Sequence, residues 1–210
     1  MLGYGNAFKW RLQPKLEVGK SCVSTLGGCL LLAFMATSLE PSLAQEQFRL
    51  PPIDKSDPRR CQLVSSSIGQ ANAGRDKLFD LRECVLTGQT AEGKDLSGMI
   101  ASDSDFSGIN FKAAQISKSF AKNSKFIGCD FTNSVSDRVS FDGSDLSKSI
   151  FVNAVLSSST FTDTNLQDTD FTDAYIGPFD LKTLCANPTL KGENPVTHRD
   201  TKDSAGCFSQ

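Results

Sequence analysis

The sequence predicts an all-β solenoid over residues 81–181, and three observations lead to that prediction. Large apolar residues recur at every fifth position, small residues recur two positions before them, and Asp or Asn is frequent in between. An α-helix repeats its buried positions every 3.6 residues and a β-strand every 2, so neither produces an unbroken period of five. Such a period along about half of a chain is typical of units stacked on one axis.

The column of large residues begins at Leu81 and continues in steps of five to Leu181. Leu, Ile or Phe occupies 17 of its 21 positions, so we expect this column to form the core. Ser136 interrupts it and predicts a packing defect or a shared hydroxyl hydrogen bond. Eight phenylalanines are expected to stack within the column: Phe106, Phe111, Phe126, Phe131, Phe141, Phe151, Phe161 and Phe171.

The column of Asp and Asn residues lies directly before the large one and runs from Asp80 to Asp180. Its members recur along the whole range and are not confined to one site. Asp and Asn side chains accept hydrogen bonds from nearby backbone amides at turns. We therefore interpret them as turn residues and not as paired catalytic carboxylates.

The resulting consensus, small–Asp/Asn–Leu/Phe–polar–polar, resembles the pentapeptide-repeat family. The resemblance implies a right-handed quadrilateral β-helix with five residues per side and four sides per turn. About five coils would then stack at the strand spacing of about 4.8 Å. Residues twenty apart should share a side, so Phe111, Phe131, Phe151 and Phe171 should lie one above another.

The first 44 residues are expected to be a cleavable targeting leader. Lys9, Arg11, Lys15 and Lys20 precede an apolar stretch at 26–36, which is too short to span a bilayer comfortably. Ser42-Leu43-Ala44 then provides a cleavage site. A membrane anchor or a buried helix is the alternative. Without the leader, the chain carries 18 basic and 22 acidic side chains, and we expect no stable membrane insertion and no nucleic-acid ligand.

Segments on both sides of the solenoid are expected to cap its ends, because a terminal coil exposes apolar surface and unpaired backbone. Residues 45–80 form the N-terminal segment and cap, with a short helix beginning at Asp57 and Pro58. Residues 182–210 form the C-terminal cap and a polar tail. A second helix is expected over 180–185, ended by Asn187-Pro188, and residues 188–210 are expected to be irregular.

The cysteines of the exported chain fit this arrangement. Export leads to an oxidising compartment, where cysteines tend to pair. We predict the disulfides Cys61–Cys84 and Cys185–Cys207, one at each cap. Cys129 falls in the small inward column and is predicted to be a buried free thiol. The alternative is that all five cysteines serve only as small apolar residues.

The flanks of the repeat narrow the resemblance. Arg60-Cys61, the segment 67–72, Asp80-Leu81-Arg82 and Ile176-Gly177 are similar to the thylakoid lumenal pentapeptide proteins of plants and algae. The resemblance covers most of residues 60–185 and implies a location in the chloroplast thylakoid lumen. A periplasmic or lumenal protein of cyanobacterial type is the alternative.

No enzyme site is predicted. The single histidine, His198, lies in the polar tail, and no cluster has the usual spacing of metal ligands, so we expect no cofactor. The predicted function is a non-catalytic scaffold that binds an unknown protein partner in the lumen, and its oligomeric state is left open.

Two other functions remain open. Residues 81–181 contain 14 acidic and 8 basic side chains, and Asp163, Asp168, Asp170 and Asp173 are candidates for an acidic face. Such a rod would mimic nucleic acid and bind a basic partner such as a topoisomerase, although export argues against that target. The third possibility is a protein whose cap disulfides are switched by lumenal redox partners.

Overall fold

The computed structural model describes residues 50–65 and 79–207, which belong to one compact unit. The predicted leader and the 67–72 motif lie outside the described residues. No helix in the described ranges combines the length and the apolarity that a membrane span requires.

Parallel β-bridges between residues twenty apart define the main body, from Asp80–Ile100 to Val155–Tyr175. Because a bridge occurs at every fifth residue, each turn has four sides, as a quadrilateral β-helix requires. Backbone hydrogen bonds join successive turns on every side, for example from Phe131 N–H to Ile150 C=O at 2.7 Å. The hand of the coil and the number of its turns stay predictions.

Most sides of the coil turn through a hydrogen-bonded β-turn that begins at the large residue. The amide of Cys84, for example, donates to the carbonyl of Leu81 at 3.2 Å. The third residue of each turn has positive φ, which Gly adopts freely and Asn and Asp tolerate. Gly88 and Asn133 are examples, at φ 82° and 59°. The frequency of Gly, Asn and Asp at this outward position follows from that requirement.

The Asp and Asn column stabilises the same turns, which confirms the interpretation drawn from its spacing. Asp105 Oδ1 accepts a hydrogen bond from the backbone N–H of Ser107 at 3.0 Å, and Asn110 Oδ1 accepts one from Lys112 at 2.9 Å. Asp80, Asp95, Asp130, Asp145, Asn165 and Asp170 accept in the same way. These carboxylates are therefore engaged in local backbone structure.

The large column fills the interior. Each of its positions from Leu81 to Phe171 is buried, with at most 5% of the side chain exposed among its apolar members. The rings of Phe111 and Phe131 stack with centroids 4.6 Å apart, and those of Phe131 and Phe151 stack at 4.5 Å. The predicted ladder of phenylalanines is thus present, and its spacing matches the distance between strands.

The small column lies inside the coil as well, and its hydroxyls are paired. Ser124 Oγ donates to the carbonyl of Ala101 at 2.6 Å and accepts from the amide of Ser104 at 3.2 Å. Ser136 shares a 2.9 Å hydrogen bond with Ser134, which is one of the two outcomes that its position predicts. Buried polar groups therefore cost little here, because each has a partner.

The ends differ from the prediction. The helix expected from Asp57 is wrong, because residues 58–61 form a single turn that does not continue. The last coil bridge is at Tyr175, so Leu181 does not occupy a coil position. It lies in helix α1, Pro178–Cys185, where Pro178 cannot donate a ladder hydrogen bond.

The segment after α1 is ordered in the structure, although the sequence suggested an irregular tail. An antiparallel bridge joins Glu193 to Asp200, and helix α2 follows at Thr201–Ser204. The Asp200 side chain caps α2 by accepting hydrogen bonds from the amides of Lys202 and Asp203, each at 2.9 Å. Residues 186–207 therefore form a structured cap.

Replacing Phe131 by Ala should destabilise the protein by about 3–5 kcal/mol, because it removes the middle ring of the stack and leaves a cavity. Chemical denaturation followed by circular dichroism measures the change. Phe120→Ala is the matched control, since this ring is 56% exposed, and should cost less than about 1 kcal/mol. Equal losses for the two variants would contradict the assigned core.

Candidate functional site

The described residues contain no group of three or more His, Cys, Asp or Glu side chains placed to hold a metal ion. His198 lies exposed on the C-terminal cap, with Nδ1 3.3 Å from Glu193 Oε1. This contact lies on the surface and joins the ring to one acid. The caps and the outer sides of the coil are the candidate functional parts.

Cys129 is buried in the small column, and no disulfide engages it. Its Sγ donates a hydrogen bond to the carbonyl of Phe106 at 3.0 Å. Burial raises the pKa of the Cys129 thiol to about 12. At neutral pH the thiol is therefore protonated and is a poor nucleophile.

The N-terminal cap is joined to the first coil by the disulfide Cys61–Cys84, whose Cα atoms are 5.5 Å apart. Two large polar residues occupy small-column positions beneath this cap. Gln89 Nε2 donates to the carbonyl of Cys61 at 3.0 Å, and Lys94 Nζ donates to that of Leu63 at 2.7 Å. Among the described residues the bridges of the coil begin at Asp80, and these longer side chains connect the first coil to the cap. Sequence reasoning missed both residues, although their size in a small column was a signal.

A salt bridge adds to the N-terminal cap. Arg82 Nη2 lies 2.6 Å from Asp80 Oδ2, with both side chains mostly buried. The hydrogen bond from Arg82 holds the pKa of the Asp80 carboxyl below its usual value. Arg82 also donates to the carbonyl of Pro51 at 2.8 Å, so this pair fixes the chain that enters the cap.

The C-terminal cap is centred on Asn194, which is fully buried. Its Nδ2 donates to the carbonyl of Asp168 at 2.9 Å and to that of Ser149 at 3.2 Å. Its Oδ1 accepts hydrogen bonds from the amide of Val196 at 2.9 Å and from that of Thr197 at 3.1 Å. Asn194 thus satisfies backbone groups of the last coil and of the cap together. No local sequence signal distinguishes it from a loop asparagine.

Other cap residues complete the edge of the last coil. The amide of Leu166 donates to Thr189 Oγ1 at 2.9 Å, and the amide of Phe171 donates to Ser204 Oγ at 3.0 Å. The disulfide Cys185–Cys207, with Cα atoms 5.5 Å apart, connects α1 to the end of this segment. The two cysteine pairs are those predicted from the sequence: one joins the N-terminal cap to the first coil, and the other joins the two ends of the C-terminal cap.

The four aspartates predicted as an acidic face do not share a side of the rod. Asp163, Asp168 and Asp173 take the positive-φ turn position on three successive sides, so they encircle the last coil. Asp170 is only 1% exposed and accepts from the amide of Thr172 at 2.8 Å. The predicted acidic face is therefore corrected to a ring of three, because residues five apart lie on different sides.

One side of the coil carries no charge over two successive turns. Its outward residues are Thr132, Asn133, Val135, Val152, Asn153 and Val155, and we call them the uncharged face. Asn153 Nδ2 donates to Asn133 Oδ1 at 2.6 Å, and Val155 bridges both Val135 and Tyr175. Tyr175 is 63% exposed at the lower edge of this face. The arrangement is a surface of methyl groups, hydroxyls and amides.

The opposite side carries charges of both signs in stacked positions. Lys122 Nζ lies 3.2 Å from Asp142 Oδ2 in the next turn, and Asp105, Lys125 and Asp145 alternate in sign along their column. Opposite charges in register stabilise neighbouring strands, and like charges in register destabilise them. Lys122 and Asp142 are thus already paired within the rod.

Comparisons with known proteins agree with the repeat. The family model of pentapeptide repeats matches eight copies, at residues 80–117 and 137–175. The thylakoid lumenal 17.4 kDa protein of Arabidopsis thaliana chloroplasts is 38% identical over 110 residues, which cover 50% of this chain and 44% of that protein. The match therefore spans less than half of the relative's length. It confirms the resemblance to lumenal pentapeptide proteins that the sequence predicts.

Two solved structures are also similar. A pentapeptide-repeat protein from the Arabidopsis thaliana thylakoid lumen is 22% identical, with 69% of this chain and 97% of that one covered and a TM-score of 0.41. Full-length QnrB1, a plasmid-mediated fluoroquinolone resistance protein, is 14% identical, with 49% and 75% covered and a TM-score of 0.24.

Replacing Asn194 by Ala should destabilise the protein by about 1–3 kcal/mol, because buried backbone groups of the last coil lose their partner. The free energy of unfolding measures this. Val196→Ala, in the same cap but 69% exposed, is the matched control and should change stability little. An unchanged stability in Asn194→Ala would mean that the cap is not docked as described.

Cys129 should make stability pH-dependent above pH 9. Its folded pKa of about 12 exceeds the ordinary 9.0, so the folded state keeps a proton that the unfolded state loses. Its contribution is complete below pH 9 and is lost between pH 9 and 12, at about 1.4 kcal/mol per pH unit. The difference in unfolding free energy between the wild type and Cys129→Ser, measured from pH 8 to 10.5, should therefore shrink as pH rises. A constant difference would contradict the buried thiol.

Proposed function

We propose that this chain, which contains pentapeptide repeats matching the family and is related over half its length to a thylakoid lumenal protein, is a non-catalytic interaction scaffold of the lumen. The lumenal location rests on that relative and on the predicted leader. The client is a protein, and the uncharged face is the surface that it contacts.

The construction of the rod supports this proposal. Backbone hydrogen bonds join each turn to the next, and the inward columns are buried, so the outward residues are held in fixed positions. A pre-organised surface loses little conformational freedom on binding. The rod therefore presents a partner with a surface of constant geometry, and binding requires no reactive group on the rod.

The uncharged face is the observation that carries the proposal. Salt bridges lie outside this face, such as Lys122–Asp142 on the opposite side and Lys112–Asp130, whose lysine is one turn before Thr132 on the same side. Across 131–135 and 151–155 the outward groups are methyls, hydroxyls and amides. The centre of a protein interface is typically depleted of charge and enriched in apolar and aromatic groups, and Tyr175 lies at the edge of this surface.

Val155→Lys tests the proposal by placing a charge in the middle of the uncharged face. Protein without residues 1–44 is cross-linked in lumenal extract, and the bound proteins are compared by quantitative mass spectrometry. The specific client should be retained by the wild type and lost by Val155→Lys, because a desolvated charge opposes docking. Thr162→Lys, on the opposite side, is the control and should retain it.

Thermal melting must show that the two variants are equally folded, and Val152→Lys provides a second change on the same face. Retention of the same partners by both uncharged-face variants would contradict the proposal. If only Thr162→Lys loses the client, the client contacts the opposite side of the rod, which carries Lys122 and Asp142.

The alternative, nucleic-acid mimicry toward a basic partner such as a topoisomerase, rests on the ring of Asp163, Asp168 and Asp173. A ring on one coil is shorter than the acidic surface that a mimic of duplex DNA needs, since DNA carries a charge about every 1.7 Å. A DNA gyrase supercoiling assay separates the two functions. The scaffold predicts no inhibition by the protein, and inhibition relieved by Asp163→Asn and Asp168→Asn would favour mimicry.

A further inference from the structure

Four rows of residues cross the side of the coil that carries the uncharged face. The rows are 112–118, 132–138, 152–158 and 172–178, and parallel bridges join their central residues, Gln115, Val135, Val155 and Tyr175. Backbone hydrogen bonds join the edges of the rows as well, for example from the amide of Asn133 to the carbonyl of Val152 at 3.0 Å. The order and the alignment of the rows are therefore set by the backbone.

The first and last rows carry opposite charges. The first row contains Lys112 and Lys118 and no acid, whereas the last row contains Asp173 and no base. Lys112 and Asp173 lie on the same edge, three turns apart, which at about 4.8 Å per turn is about 14 Å. Between them the uncharged face contributes methyl groups, hydroxyls and amides. This side of the rod therefore has a positive end, a neutral centre and a negative end.

The charged groups at the two ends are available to another molecule. Lys112 Nζ lies 3.1 Å from Asp130 Oδ2, but the Lys112 side chain is 49% exposed, and an ammonium group has three N–H donors. Asp173 is exposed, and no ion pair with another described residue engages it. Each group can therefore form an ion pair with a partner of the opposite charge.

We propose that a second copy of this chain covers the uncharged face and lies antiparallel on the same side. A two-fold axis between the two middle rows, perpendicular to the rod, places the first row of each copy on the last row of the other. Lys112 then faces Asp173 of the second copy, and the symmetry repeats this ion pair. Val135 faces Val155 of the second copy, so methyl groups meet at the centre of the contact.

The charges select the antiparallel orientation. If the two rods were parallel, Lys112 of each copy would face Lys118 of the other, and like charges in contact oppose association. In the antiparallel pair Lys118 faces Pro178 instead. Arg138, at the far edge of the second row, is already in a salt bridge within its own chain and faces Ser158. The antiparallel pair therefore places no like charges opposite each other.

The contact is short, so the pair of copies is transient. The four rows span about 14 Å along the rod, whereas a stable interface buries about 800 Å² on each partner, which is a patch about 28 Å across. A client can therefore displace the second copy, which otherwise shields the apolar groups of this face from water. The inference concerns self-association and does not require that the proposed client exist.

Sedimentation velocity of the full chain over a range of concentrations tests the proposal. Lys112→Glu and Asp173→Lys should each raise the dissociation constant of the dimer at least about tenfold, because the two-fold symmetry places two like-charged pairs in the contact. The variant with both changes should return to within about threefold of the wild type, since exchanging the charges restores the ion pairs.

Lys122→Glu is the matched control. Lys122 is 50% exposed and lies 3.2 Å from Asp142 on the opposite side, so its replacement removes a similar salt bridge outside the contact. This variant should dimerise as the wild type does, and thermal melting must show that all variants are equally folded. Lys112→Gln provides a milder change beside Asp130 and should also weaken the dimer.

Three results would each overturn the proposal. They are a wild type that stays monomeric, single variants that associate as the wild type does, and a double variant that stays as weak as the single ones. These results are read without any client, so they are separate from a failure of the proposed function. That function fails alone if the dimer responds as expected while Val155→Lys and Val152→Lys still retain the client.

Discussion

The stacking of each twenty-residue turn on the next is the interaction on which the rest of this structure depends. It pairs the backbone of every side with that of its neighbour, and it sets the distance at which interior rings must meet. The phenylalanine stacks follow that distance, with centroids at 4.5–4.7 Å in the middle of the coil against a strand spacing of about 4.8 Å. A flat ring suits this repeat because it fills the interior within one turn. The hydroxyls of the small column complete the arrangement by bonding to carbonyls of the preceding turn, such as Ser144 to Ala121.

The same stacking makes the ends the vulnerable part of the molecule. A coil with no neighbour leaves backbone groups and apolar surface uncovered, and the two caps solve this differently. At the N-terminus, Gln89 and Lys94 extend from the first coil to the cap. At the C-terminus, Asn194 and Thr189 extend from the cap to the last coil. A disulfide also stabilises each cap, Cys61–Cys84 at the N-terminus and Cys185–Cys207 at the C-terminus.

The parts that the sequence predicts are those that depend on the period alone. The core columns and the Asp and Asn turns follow from the five-residue period. The pairing of the cysteines follows from their positions at the two ends of the repeat. The cap residues do not, because Asn194 bonds to Ser149, 45 residues away, and its neighbours in sequence give no sign of this. The acidic face was predicted from nearness in the chain, whereas only residues twenty apart share a side. The N-terminal helix was predicted from Asp57 and Pro58, but one turn of chain cannot sustain a helix without packing to support it.

The proposed function uses the outward side chains of the coil, which the stacking of the turns leaves available to a partner. The outward positions of the coil differ from side to side, and the uncharged face is the surface of the coil whose chemistry suits a partner. It depends on the register of the coil, which a through-hydrogen-bond scalar coupling in NMR tests most directly. We expect a coupling between the amide nitrogen of Phe131 and the carbonyl carbon of Ile150, whose N and O atoms lie 2.7 Å apart, and one between the amide nitrogen of Val135 and the carbonyl carbon of Ala114, at 2.9 Å. Equivalent couplings should join residues nineteen and twenty-one apart along the coil, and couplings four residues apart within residues 80–175, as in a helix, would contradict this register.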